Sequence, residues 1–351
     1  TRGQITAYAG LALSMNFRRH FFSMLILGRF ARFIRWDRRG AIVTHRFDYT
    51  KRPRFIFEFY RRYGQLSPIQ RGFDPTATRR ILTAAYKKAF GKYHDIYGGG
   101  DFSIQPSKSL TGDDCFHIVV KDSVSGVEET FVVPPPRYVH GCLMPFKRGT
   151  KRSLACLYLG DKTPGAMFFI KDSWQEESSR TVREADIYRK LKAASAQYVA
   201  SMRLGGDVNH MVTVSQDWLD VKFRRMVCHR LVLETVAESL STFTWCKILL
   251  SCIADAVEGT KVILTGILHR DLSAGNIMIV RNMKTKEWNG VLINWDMCIL
   301  WQEQKGKARS GRIGTRPFIS TNILTNQNPS HSLCDDIESA FWVLLYHALL
   351  Y

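Results

Sequence analysis

Apolar positions along the chain fall into short segments divided by glycine, proline and Asp-bearing turns, and their spacing predicts an α+β architecture. Residues 15–27 have the spacing of an amphipathic helix stopped by Gly28. The β-prone runs 30–36 and 41–47 flank Asp37-Arg38-Arg39-Gly40 and predict a hairpin. Segments 54–63 and 76–90 have helical spacing, each followed by a glycine, Gly64 and Gly91. A second hairpin is predicted from 116–121 and 127–133 across Ser123-Val124-Ser125-Gly126. Pro134-Pro135-Pro136 then forms a stiff connector, because proline fixes φ and donates no ladder hydrogen bond. Beyond it the pattern predicts strands at 141–146, 154–159 and 166–170 and a polar helix over 176–195. From Ser239 onward it predicts mainly helix, interrupted by a strand at 290–294. A small sheet with one helix, followed by a larger helical portion, fits two unequal lobes.

Composition narrows this. The 351 residues are 45% apolar and 23% charged, which excludes wholesale disorder and collagen-like repeats. The net charge of +19 is lopsided: residues 1–92 hold 20 Lys and Arg against 4 Asp and Glu, and the rest 30 against 27. Such a field suits a solvated basic face without a partner, or an anionic partner for the N-terminal region, whether nucleic acid, a lipid surface or an acidic protein. No nucleic-acid-binding motif accompanies it. No run approaches 18 apolar residues, so no membrane span is expected. The eight cysteines form no C-x-x-C pair, which argues against zinc and thioredoxin-type chemistry and for reduced intracellular thiols. The chain opens on Thr1 without a secretory signal, as expected of a fragment.

Candidate chemistry concentrates in His269-Arg270-Asp271-Leu272-Ser273-Ala274-Gly275-Asn276. In a phosphoryl-transfer site an Asp accepts the acceptor hydroxyl's proton and an Asn five residues on holds metal. That spacing turns both side chains from one loop toward the same phosphate.

With this loop in hand, the chain resembles the fungal-type protein kinase family of the protein kinase superfamily. The resemblance is carried by Gly28 to Val43 with Phe47-Asp48-Tyr49, by Gly72-Phe73-Asp74-Pro75 and by Ile170-Lys171-Asp172-Ser173-Trp174. It continues through His229 to Glu234, Gly314-Thr315-Arg316-Pro317-Phe318 and Asp335-Asp336-Ile337-Glu338-Ser339. It implies a bilobal protein kinase-like fold with a small β-rich N-lobe and a mainly helical C-lobe. Residues 1–136 would be a basic extension of helices and β-hairpins packing with the kinase domain. Residues 137–236 would form the N-lobe and hinge, and 237–351 a C-lobe truncated at Tyr351. It implies ATP and Mg²⁺ as cofactors and transfer of the γ-phosphate to a Ser/Thr hydroxyl of a protein in cytoplasm or nucleus.

Residue by residue, the resemblance makes Asp271 the base and Asn276 a metal and nucleotide contact. Lys171, ending the apolar run 167–170, would bind phosphate, with Glu184 on the next helix as its carboxylate partner. Val120-Lys121-Asp122-Ser123 echoes the motif around Lys171 but leads into a hairpin turn. Gly149 would supply a sparse glycine cover and Glu234 a hinge contact to nucleotide. Thr315 is expected to hydrogen-bond near Asp271, and Asp336 to anchor the catalytic loop's backbone. Gly160 to Gly165 has the outer spacing of a Walker loop, but Ala166-Met167 follow, so it reads as a hairpin turn.

One departure stands out. Where the family reads Ile-Asp-Phe/Trp-Asp, this chain has Ile293-Asn294-Trp295-Asp296. Asn294 brings a neutral amide to a metal position, and Asp296 shares its face only while strand geometry persists. The alternative reading is therefore a pseudokinase, a binding scaffold with metal binding impaired at Asn294.

Overall fold

The structure, a computed structural model, describes residues 2–97, 114–136, 144–146, 148–177, 182–218, 223–260, 266–281, 287–300, 312–326 and 329–350. It is α+β, with a multi-stranded antiparallel sheet and seven α-helices among these residues. The backbone gathers into two compact units. The first comprises Thr1–Lys87, Thr111–Thr181 and Leu204–Val232, and the second Lys88–Leu110, Val182–Arg203 and Leu233–Tyr351.

In the first unit, α1 (Arg2–Ser14) precedes β1 (His20–Leu27), which pairs along its whole length with β2 (Phe30–Asp37). A helix was expected over 15–27. The strand prevails because Phe21 and Leu25 pack with Ala9, Ile34 and Trp36, a tertiary contact that local periodicity does not report. Strands β3 (Ala41–Val43) and β4 (Phe47–Asp48) also pair with β2, so the hairpin over Asp37–Gly40 forms as predicted. Helix α2 (Arg54–Gln65) buries no residue fully, and Phe59 stacks on Phe33 at 4.2 Å. The predicted helix at 76–90 divides into β5 (Ala77–Ile81) and α3 (Ala84–Tyr97), because 77–81 is recruited by a strand distant in sequence.

That strand is β6 (Asp114–Lys121), followed by β7 (Glu128–Val133), β8 (Lys151–Tyr158), β9 (Pro164–Glu176), β10 (Met202–Val212) and β11 (Met226–Leu233). Together with β5 they form one seven-stranded sheet in the order β10-β11-β9-β8-β7-β6-β5. The prolines at 134–136 lie between β7 and β8, which pair with each other. Of the expected strand at 141–146, residues 144–146 are not strand and 141–143 lie outside the described residues. Glu176 ends β9 instead of opening a helix. Phe131, Ile118, Ala155 and Val232 lead the fully buried apolar cluster on this sheet.

Beside that cluster sits a buried ionic group. Arg230 on β11 donates to Asp172 on β9 through Nε (2.7 Å) and Nη2 (2.8 Å), and to Asp74 through Nη2 (2.9 Å). Its Nη1 also donates to Thr76 Oγ1 at 2.7 Å. Burial alone would lower the guanidinium's pKa, but Asp172 and Asp74 outweigh it and hold the charge.

In the second unit, α4 (Glu184–Ala193) is followed by β12 (Glu238–Ser239) and α5 (Cys246–Thr260). Next come β13 (Ile267–Leu268), β14 (Ile277–Arg281), β15 (Trp288–Leu292), β16 (Ile299–Leu300), α6 (Thr321–Thr325) and α7 (Leu333–Leu350). Strands β12, β14 and β15 form one small sheet, and β13 pairs with β16. Helix α5 packs on β15 at Gly290, where an added Cβ would lie 2.1 Å from the Cys252 carbonyl oxygen. Gly290→Ala is therefore expected to destabilise this unit by about 1–3 kcal/mol or more, read from urea unfolding, because backbone rather than a pliable side chain must give way.

Candidate active site

The loop that carries the candidate chemistry runs from β13 to β14 within the second unit. Asp336, in the first turn of α7, accepts from the backbone N–H of His269 (3.1 Å) and of Arg270 (3.0 Å) and from His331 Nε2 (3.0 Å). Three donors on one buried carboxylate fix the loop's entry and satisfy the charge. They also hold Arg270 at a φ of 68°, a conformation non-glycine residues adopt only where their surroundings impose it. Asp336 was expected from sequence; His331 was not, and no local pattern marks it.

His269 ties the loop to the segment after β15. Its Nε2 lies 3.0 Å from the carbonyl oxygen of Ile293, which can only accept, so Nε2 carries the proton. Nδ1 then accepts from the Asp271 N–H at 3.3 Å. The ring also meets buried Trp295 edge-on, with centroids 4.7 Å apart. The sequence thus sets Asp271 through two neighbours, one polar and one aromatic.

Around Asp271 the side chains converge. Thr315 Oγ1 donates to its Oδ1 at 2.8 Å. Asn276 Nδ2 donates to its backbone oxygen at 2.6 Å and to its Oδ2 at 3.2 Å. Asp271, Leu272, Gly314, Thr315 and Ile319 line a shallow cleft against the segment 313–320. The hydrogen bond expected of Thr315 near Asp271 is present.

Asn294 completes the group differently from the expectation. Asn276 turns its NH₂ toward Asp271, so its Oδ1 faces away, and Asn294 Nδ2 donates to that oxygen at 3.0 Å. The network thereby fixes both amide orientations. Strand β15 ends at Leu292, Asn294 sits in the left-handed region at φ 70°, and Trp295–Met297 form a 3₁₀ turn. The alternation that would have placed Asp296 beside Asn294 does not hold there. A left-handed position suits Asn, whose short polar side chain tolerates it.

Glu184 is buried as the first residue of α4, a helix that packs on the 3₁₀ turn. Burial, then the nearby carboxylates of Glu184 and Asp296, push the Cys298 thiol well above its ordinary pKa. Those two acids thus occupy one neighbourhood in the second unit. Glu234 is engaged locally: it accepts from Ser201 Oγ at 2.6 Å and pairs with Arg203 at 3.8 Å.

The remaining candidates belong to the first unit. Lys171 is buried on β9, paired in register with Arg152 on β8. Gly149 has a φ of 51°, and a Cβ there would lie 2.4 Å from the Arg38 guanidinium carbon. Close approach of Arg38 gives this glycine a packing reason of its own.

A divalent cation needs anionic oxygens directed at one point. Here Asn276 Oδ1 is already an acceptor, and Asn294 presents an NH₂ to it. Among the described residues, no group of three or more His, Cys, Asp or Glu suited to a metal ion occurs. As arranged, the donor set does not fit a divalent cation.

In this loop one Asp is held by a Thr hydroxyl and by an Asn five residues on, and the backbone is anchored from a helix. Residues 209–348 match the family described as fungal protein kinase. The match spans the loop, Asn294, Thr315 and Asp336, while the resembling motifs before residue 209 lie outside it. A comparison with curated proteins finds no match. Among the described residues, no helix is long and apolar enough to cross a membrane.

Proposed function

We propose that this chain is an ATP-dependent protein kinase, transferring the γ-phosphoryl group to a Ser or Thr hydroxyl with Asp271 as the base. The observation that carries this reading is the Thr315–Asp271–Asn276 constellation. Thr315 and Asn276 each hold one Asp271 oxygen, so the carboxylate is oriented before substrate arrives. In the step itself the hydroxyl oxygen bonds to the γ-phosphorus while its proton passes to Asp271. The bond from the γ-phosphorus to the β–γ bridging oxygen breaks, and ADP leaves. Lys171, with Glu184 orienting it, is assigned to the nucleotide phosphates, and Gly149 and Glu234 to the nucleotide's cover and hinge. The extents proposed are 1–136 for the extension, 137–236 for the N-lobe and hinge, and 237–351 for the C-lobe. Family members use ATP with divalent metal, normally Mg²⁺, but no step here is routed through the ion.

A second reading has its own support. The Asn294–Asn276 hydrogen bond closes the place where a carboxylate would meet a cation, as expected of a pseudokinase scaffold. The test is γ-phosphoryl transfer from labelled ATP to a protein acceptor across a Mg²⁺ titration, for the native chain and for Asn294→Asp. The native chain is expected to transfer slowly with a shallow Mg²⁺ dependence. Asn294→Asp replaces the donated hydrogen bond by facing oxygens that a cation relieves, so its rate is expected to rise about 10- to 100-fold with Mg²⁺. No transfer by either form, from folded protein, would sink the kinase reading and leave the scaffold.

A further inference from the structure

The turn joining β1 to β2 presents its two most exposed apolar side chains outward. Leu27 is 61% exposed and Ile26 45%, two adjacent apolar side chains open to solvent at one tip. Gly28 and Arg29 make the reversal between the paired Leu27 and Phe30, with Gly28 at φ 57°. This aliphatic tip is surrounded by cations. Pairing of β4 with Phe30 and Ala31 brings Arg46 beside it, and the Tyr49 N–H donates to the Arg29 carbonyl at 3.1 Å. Asp48 then gathers the following loop, accepting from the N–H groups of Thr50 (3.0 Å) and Lys51 (3.3 Å), and α2 opens at Arg54. Arg29, Arg46, Lys51, Arg52 and Arg54 are all exposed at this end, against the single acid Asp48.

The chemistry of this patch discriminates among anionic partners. Stacking a nucleobase requires an open aromatic face. The Phe30 ring already carries the guanidinium groups of Arg29 (5.2 Å) and Arg46 (5.1 Å), and Phe55 carries that of Arg54 (5.4 Å). On the β1–β2 turn itself what is left free is aliphatic, and the exposed aromatics Phe57 and Tyr60 lie further along α2. Leucine and isoleucine ringed by Arg and Lys suit the boundary between acyl chains and anionic headgroups, where apolar burial and charge attraction act together.

We propose that the β1–β2 tip is a membrane-surface contact for anionic lipid, with Ile26 and Leu27 entering the headgroup boundary and the surrounding Arg and Lys holding the headgroups. The proposal does not depend on the catalytic reading.

The test is sedimentation of the 351-residue chain with phosphatidylcholine vesicles, with and without phosphatidylserine. Binding is expected only with phosphatidylserine and is expected to weaken as salt rises. Lys51→Glu with Arg52→Glu, and separately Ile26→Ser with Leu27→Ser, are each expected to lower the partition coefficient about tenfold or more. All four side chains are exposed, so unfolding temperatures are expected to stay unchanged. Leu27→Trp supplies a gain of signal: its emission is expected to shift to shorter wavelength on vesicles and to be quenched by brominated acyl chains. Failure to sediment with phosphatidylserine vesicles would overturn the proposal. Sedimentation indifferent to the serine pair, without the tryptophan shift, would reduce it to plain charge adsorption and overturn insertion. Single-stranded RNA bound more tightly than vesicles, and unaffected by the serine pair, would assign the patch to nucleic acid instead.

Discussion

Asp271→Asn is expected to lower γ-phosphoryl transfer by about 10²–10⁴-fold, the range that a positioned general base contributes. The substitution is nearly isosteric, and the contacts that shape the loop do not depend on the lost charge. Asn276 still donates to the backbone oxygen of residue 271, and Asp336 still accepts from the two preceding N–H groups. The amide oxygen still accepts from Thr315, and only the longer bond from Asn276 Nδ2 to the second carboxylate oxygen is given up. What disappears is the capacity to take the acceptor hydroxyl's proton. The decisive pattern is therefore a fall in kcat with an unchanged unfolding temperature. A variant that transfers as fast as the native chain would remove Asp271 from the chemistry.

Arg230→Met is expected to destabilise the first unit by about 3–5 kcal/mol, measured by urea unfolding followed through its β-sheet signal. The methionine fills much of the space, so the loss is electrostatic. Asp172 and Asp74 would remain buried without the cation that holds them, their closest approaches being 2.7 and 2.9 Å. Arg230→Lys is expected to recover only part of the loss. A single ammonium cannot reproduce a fork that reaches two carboxylates and the Thr76 hydroxyl together. An unchanged midpoint in Arg230→Met would show that both acids find other partners.

The catalytic loop was the most legible part of the chain, because its chemistry is carried by residues within one short segment. Asp271 and Asn276 announce themselves by spacing, and Asp336 by its place at the start of a strongly apolar helix. His331 escaped notice because it reaches Asp336 through a loop of no recognisable pattern. Elements failed where a distant partner decided them. Residues 20–27 have spacing compatible with either helix or strand, and β2 selects strand. Likewise 77–81 becomes a strand through residues 114–118, a pairing absent from any local window. The role of Asn294 was half legible: the missing charge is plain in the sequence. The hydrogen bond to Asn276 follows from a left-handed backbone angle that the sequence does not display.

The Asp74–Arg230–Asp172 cluster also bears on which stretch of chain is a self-sufficient piece. The segment that matches the fungal protein kinase family begins at residue 209, inside β10. It takes Arg230 with it and leaves both carboxylates behind. Excised on its own, that stretch would bring a guanidinium suited to an interior, stripped of its counter-ions, with β11 and only the end of β10 from a sheet whose other five strands lie upstream. The stretch that matches the family is thus not, by its charges, a stretch able to stand alone.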